Sequence, residues 1–177
     1  MRLIKAGRIV DDRFVRVLDD APIPEGVSAI IPASRFLADA DEISRREGLT
    51  GVLWPNNRRV AELASHLPRL ALVALVFPSF RDGRAYSQAR QLREHYGFRG
   101  ELRATGDILR DQFLFLVRAG FDAFEVKKDA DAAVFAESVS RYSVFYQPAG
   151  DGRPSALRGR LARPNAASAQ EFAATVR

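Results

Sequence analysis

Short apolar runs alternate with longer amphipathic stretches along most of the chain. The runs are "VSAII" (27–31), "GVLW" (51–54), "LALVALVF" (70–77), "ELRAT" (101–105), "FDAFEV" (121–126) and "SVFYQ" (143–147). They are rich in β-branched and aromatic residues and read as strands. Between them lie "SRFLADADEISRREG", "NRRVAELASHL", "GRAYSQARQLREHYG", "DILRDQFLFLVRAG" and "DADAAVFAESVSRY", which read as helices. Run centres fall about 20 to 30 residues apart, the beat of successive βα units with parallel strands and right-handed crossovers.

Finer patterning agrees with that beat. In "AYSQARQLREHY", Ala85, Ala89, Leu92 and Tyr96 share a helical face that should pack on a sheet. Ser87, Arg90, Gln91 and Glu94 fall elsewhere around the wheel. Phe113, Leu116 and Val117 have the packing role in the next helix. Gly97 and Gly120 stand where two helices should stop, and Asp107 stands where the helix of "ILRDQFLFLVRAG" should be capped. Ahead of the βα units, "LIKAGRIVDDRFVRVLDD" alternates about Gly7 and again about Asp11–Asp12. It reads as a β-hairpin or short meander over residues 1–20, ended by "APIPEG".

The expected fold is therefore α/β, with an N-terminal β-hairpin followed by mainly parallel strands. Two architectures fit: a partial or TIM-barrel-like β/α barrel, and an open doubly wound sheet. A full eightfold barrel takes about 250 residues, and this chain has 177. Either architecture binds ligands at the carboxyl ends of its strands.

Composition adds bounds. The apolar fraction of 47% and charged fraction of 28% are those of an ordinary globule, arranged as a single domain over 1–147. No run approaches the roughly 20 apolar residues of a membrane span, and "MRLIKAGRIVDD" turns polar too soon for a signal peptide. A cytoplasmic protein with no membrane partner is expected. The chain has no cysteine, which excludes disulfides, thiolate catalysis and any zinc or iron–sulfur cluster held by its own cysteines. His66 and His95 lie far apart, so no metal site is expected, and no cofactor is specified.

The net charge of +5 suggests nucleic acid at first sight. Its distribution does not. From Gln147 to Arg177, five arginines face two acids, giving +3 and leaving +2 for residues 1–146. Residues 148–177 read as a basic, flexible tail, either solvated or in contact with an acidic partner, and nucleic acid is not expected.

Candidate chemistry gathers just past the strands. Ser34 and Arg35 follow the first βα strand. Asn56, Asn57 and Arg58 follow the second, and Arg81, Asp82 and Arg84 the third. Gly106 and Asp107, then Lys127 and Lys128, follow the next two, and the last ends at Tyr146 and Gln147. A planar guanidinium donates two hydrogen bonds at once to a carboxylate, phosphate or sulfate. Arg81, Arg84 and Arg103 are the candidates to hold an anion, with Asp82, Ser87 and Asp107 orienting them or binding polar ligand groups. The competing reading is that strand ends are exposed, and exposed positions carry charge. Arg103 lies inside "ELRAT", where it points to solvent, to a buried acid or into a barrel mouth. Walker, GxGxxG and GxSxG signatures are absent, and no residue pair stands out as general acid and base, so catalytic residues are unassigned.

"LIKAGRIVDDRFVRVLDDAPIP", "LALVALVFPSFRDGRAYSQARQLREHYGFRGELRATGDILRDQ" and "RAGFDAFEV" together resemble a bacterial family of unknown function. That family bears the label of an oxidoreductase of sulfite reduction. Its genes lie beside those for assimilatory sulfite or nitrite reductase and phosphoadenylylsulfate reductase. The resemblance runs from residue 1 to about 147. It implies a pathway: an accessory protein of assimilatory sulfate and sulfite reduction that binds an oxyanion or other small anionic ligand at the strand ends. Two alternatives stay open under it. One is a redox enzyme whose rim holds the phosphate of a flavin or nicotinamide. The other is a non-catalytic partner of sulfite reductase, or of another sulfur-assimilation enzyme, with the basic tail on an acidic surface.

Overall fold

The computed structural model describes residues 1–142, 144–149, 153 and 155–162. Eight strands form one sheet in the order β2-β1-β8-β7-β6-β5-β4-β3. They are β1 (Arg2–Lys5), β2 (Arg8–Val10), β3 (Val15–Arg16), β4 (Ala29–Pro32), β5 (Thr50–Trp54), β6 (Leu72–Phe77), β7 (Glu101–Gly106) and β8 (Ala123–Val126). Neighbours from β3 through β8 pair in parallel. β1 pairs antiparallel with both β2 and β8. β1 and β2 meet about a turn at Ala6 and Gly7, both at positive φ. β3 then leaves that pair for the far edge of the sheet.

The strand order from β3 to β8 never reverses. A doubly wound sheet requires a reversal, so that alternative is excluded. Six parallel strands added always on one side curl the sheet into a half-barrel with its helices outside. Around that outer face run α1 (Ala33–Ala38), α2 (Ala40–Ile43), α3 (Arg84–Arg90), α4 (Phe113–Ala119) and α5 (Ala130–Ser140), and a last helix, α6 (Ala156–Ala162), follows them in the chain without joining the core. α3 continues as one π-helical stretch, Gln91–His95. The expected helix in "NRRVAELASHL" is instead a pair of 3₁₀ turns, Val60–Leu63 and Leu67–Arg69, the second containing Pro68.

Alternation divides the core into two layers. Val52, Trp54, Val73, Leu75, Phe77, Leu102, Ala104 and Phe124 face the helices and pack with Ala85, Ala89, Leu92, Phe113 and Leu116. The helix faces expected from spacing are the ones buried. On the inner face, Ile30, Leu72 and Ala74 pack with Phe14, which lies between β2 and β3. The N-terminal segment thus lines the concave side that no helix covers.

The sixth run, "SVFYQ", is not a strand of this sheet. The place beside β8 is taken by β1, and Val144 and Tyr146 are exposed. Phe145 forms only an isolated bridge with Ser155. Ser143 and most of the expected tail (150–152, 154 and 163–177) lie outside the described residues. Among the described residues no helix is long and apolar enough to cross a membrane.

Gly106 fixes how the sheet meets its rim. It ends β7 at φ +99°, and a Cβ there would stand 2.3 Å from the Phe77 carbonyl oxygen. That oxygen accepts from Asp107 N–H at 2.8 Å. Gly106→Ala is expected to cost at least about 2 kcal/mol, from backbone strain plus a clash with main chain. Urea denaturation measures it, and a change under about 0.5 kcal/mol would contradict this geometry.

Candidate functional site

Two polar constellations are built on the sheet, one on its inner face and one on its carboxyl rim. Arg103 belongs to the first. Its side chain is wholly excluded from solvent. Register places it beside Ala74 of β6 and Ala123 of β8, all on the inner face. The guanidinium donates from Nη1 and Nη2 to Asp12 at 2.5 and 3.0 Å, from Nε to Glu101 at 2.8 Å and from Nη1 to Glu125 at 3.2 Å. Its carbon sits 5.8 Å from the Phe14 ring centroid.

The three carboxylates have further partners. Lys5 pairs with Glu101. Arg16 of β3 donates from Nη2 to Glu125 at 2.9 Å and to Thr105 at 3.2 Å. Thr105 donates in turn to Glu125 at 2.6 Å. Because β3 and β8 stand at opposite ends of the parallel strands, the Arg16–Glu125 bridge spans the concavity. Three cations meet three anions, so the inner face is electrically balanced. Burial opposes the charge on Arg103, but its hydrogen bonds and the carboxylate charges outweigh that and raise its pKa. For Asp12, burial likewise opposes ionisation and is outweighed by the Arg103 hydrogen bond and the Phe14 N–H, which hold the carboxyl below 3.8. Arg103 is a buried cation held by three carboxylates, apart from the other five candidate residues.

Those five sit on the rim. In the loop from β6 to α3, Arg84 donates to Asp82 from Nε at 3.0 Å and from Nη2 at 2.6 Å. The same carboxylate also accepts Arg84 N–H at 3.2 Å. The Arg84 bonds hold the Asp82 carboxyl far below the usual carboxylate range. Arg81 differs. It is exposed and stacks over the Phe80 ring at 5.4 Å, with no carboxylate partner among the described residues. Ser87 lies on the exposed side of α3.

Asp107 does not cap a helix. The helical segment starts later, as a 3₁₀ turn at Arg110–Gln112 leading into α4. Asp107 instead ties two rim loops together, accepting Phe80 N–H at 3.2 Å and Lys127 Nζ at 3.3 Å. These two bonds, the Phe80 one foremost, lower its pKa. Gln112 adds to the junction by donating to the Phe80 carbonyl at 3.0 Å. A cleft of about 480 Å³ opens beside it, with Asp107, Arg110, Asp111, Lys127 and Lys128 in its walls. Nearby Tyr86 is no base: burial first, and the Asp111 charge second, push its hydroxyl up to about 12.

The remaining arginines of α3 and its π-helical continuation, Arg90 and Arg93, are structural. Arg93 donates to the carbonyls of Phe98, Gly100 and Gly120 and to Asp122. Arg90 pairs with Glu94 one turn on. Sequence reading passed over Asp12, Arg16, Glu101, Thr105 and Glu125 as polar partners. One signal was available: Arg103 and Glu125 each interrupt an otherwise apolar strand. No group of three or more His, Asp or Glu among the described residues is arranged to hold a metal ion.

The family described as "Bacterial protein of unknown function (DUF934)" matches residues 51–157, more than half of the chain, and the chain belongs to that family. The matched segment carries Glu101, Arg103 and Glu125, while Lys5, Asp12 and Arg16 precede it. No curated protein matches the chain.

Removing Arg103 takes the shared buried cation away from Asp12, Glu101 and Glu125, and leaves Glu101 only Lys5 and Glu125 only Arg16 as charged partners among the described residues. Arg103→Met is expected to cost about 3–5 kcal/mol, and adding Glu101→Gln and Glu125→Gln should return part of it. Asp12 supplies the pH dependence. Its folded pKa lies below the unfolded one, so its stabilisation is full above about pH 4 and is lost as pH falls through the folded value. Urea midpoints should therefore separate wild type from Asp12→Asn at neutral pH and converge in acid. A gap that is constant with pH would refute the assignment.

Proposed function

We propose that this DUF934 protein is an accessory protein of assimilatory sulfate and sulfite reduction that binds an oxyanion at the carboxyl ends of its strands. The pathway is supported by the sequence resemblance. The binding is supported by one observation above others: Arg81 stands on the rim with no carboxylate partner among the described residues, while the neighbouring Arg84 is paired with Asp82.

The chemistry of such a site follows from that division. A cation already paired must give up its partner before it binds a ligand, whereas Arg81 need not. The Asp82–Arg84 pair shapes the loop, and Asp107 holds Phe80, the residue before Arg81, against the β8 end. Lys127 shares Asp107, and exposed Lys128 has no ion pair among the described residues. Ser87 offers a hydroxyl on the exposed side of α3. An oxyanion such as sulfite, sulfate or an adenylyl-sulfate suits a guanidinium on a rim that also carries ammonium groups. At this exposure the attraction is weakened by salt.

Calorimetry at low ionic strength with sulfite, sulfate, phosphate and adenylyl-sulfate tests the binding. Arg81→Ala should weaken the preferred anion by about tenfold, the scale of one charge-assisted contact. Arg84→Ala should weaken it less. The binding proposal fails if no oxyanion outcompetes chloride. The pathway is tested separately by growth of a deletion strain on sulfate, sulfite, sulfide or cysteine, and normal growth on sulfate would sink it.

A further inference from the structure

The anion site leaves one element unexplained. Among the described residues, the ties between α6 and the rest of the chain are at its start. Ser155 bridges to Phe145, and Ala156 N–H donates to the Phe145 carbonyl at 2.7 Å. Phe145 lies under Arg118 at 3.8 Å and Arg153 at 5.7 Å, and Arg153 donates to the Val139 carbonyl at 3.2 Å. Beyond that anchor the helix projects. Leu157 is 66% exposed and Leu161 78%, and Arg158, Gly159 and Arg160 are exposed between them. A Cβ on Gly159, at the back of the helix, would meet nothing within 4 Å.

The exposed face is ordered. At about 100° per residue, Leu157 and Leu161 form one stripe, with Arg158 and Arg160 about 80° to either side of it. No acid occurs between Asp151 and Glu171, a stretch that contains four arginines. Seven residues with a central glycine make a weak helix by themselves, so this one gains stability when its leucines are covered.

We infer that α6 is a docking helix for a partner protein whose surface is a groove with an apolar floor and acidic walls. The leucine stripe fits the floor and the flanking arginines fit the walls, the helix-in-groove mode of recognition. Two leucines are too little apolar surface to hold a helix in a bilayer, and a leucine stripe gains nothing against a phosphate backbone. This inference stands independently of the anion site, on a different part of the surface chemistry.

The test replaces Leu157 with photoreactive benzoylphenylalanine in the full chain, cross-links it in its native cells and sequences the attached peptides. The expected product is one protein, attached through a peptide rich in Asp and Glu. Arg158→Glu with Arg160→Glu should reduce the adduct about tenfold without changing the melting temperature. Reversing two acids of the attached peptide to lysine should restore it. Adducts to lipid or RNA, attachment only to copies of the same chain, or a yield unmoved by the charge reversal would each overturn the inference.

Discussion

A curled sheet wound in one direction has helices on its outer face only, and its inner face must still be removed from water. Here that face carries Arg103, with no solvent exposure and an ionic partner on each side. A buried guanidinium is tolerable only when its hydrogen bonds and charge are met in full, because desolvation costs several kcal/mol per ion. Glu101 and Glu125 come from the same sheet. Asp12 must come from elsewhere, and the segment that brings it also brings Phe14 over Ile30, Leu72 and Ala74. Arg16, four residues on from Asp12, then bridges to Glu125. One buried cation thereby accounts for the path of the N-terminal segment and for the closure of the concavity.

The rim obeys the opposite rule. Its charges are solvated, so individual pairs contribute little to stability, and what matters is which of them are already occupied. Arg84, Arg90 and Arg93 have partners within the fold. Arg81 is set three residues before Arg84 yet forms no ion pair with Asp82. Asp107 is the hinge between the two regimes: Gly106 turns the backbone at the end of β7, and the Asp107 carboxylate then gathers the β6 and β8 loops around it.

The parts legible in the sequence are those coded locally. Five of the six apolar runs are strands of the sheet, and the Ala85–Ala89–Leu92 face is buried, because periods of two and about 3.6 residues reflect nearby backbone geometry. "SVFYQ" has the same local character but loses its place to β1, a competition that no window of residues contains. Asp107 looked like a cap because a capping aspartate and a loop-bridging one have the same neighbours in sequence. The partners of Arg103 stand 91, 2 and 22 residues away, so only the three-dimensional winding unites them. Arg81 and Arg84 are likewise indistinguishable in "FRDGR" until the direction of the Asp82 side chain is known.

The pairing of β1 with β8 joins Arg2 to Val126, which sets an order of events on the ribosome. β1 has only β2 to pair with until β8 emerges, more than a hundred residues later. At ordinary elongation rates that wait is on the order of 10 s, long compared with the time a hairpin takes to form. During it, Arg103 lacks Glu125, its partner on β8. The dense charges of "DDRFVRVLDD" suit a segment that waits in water until the sheet it must line has been made.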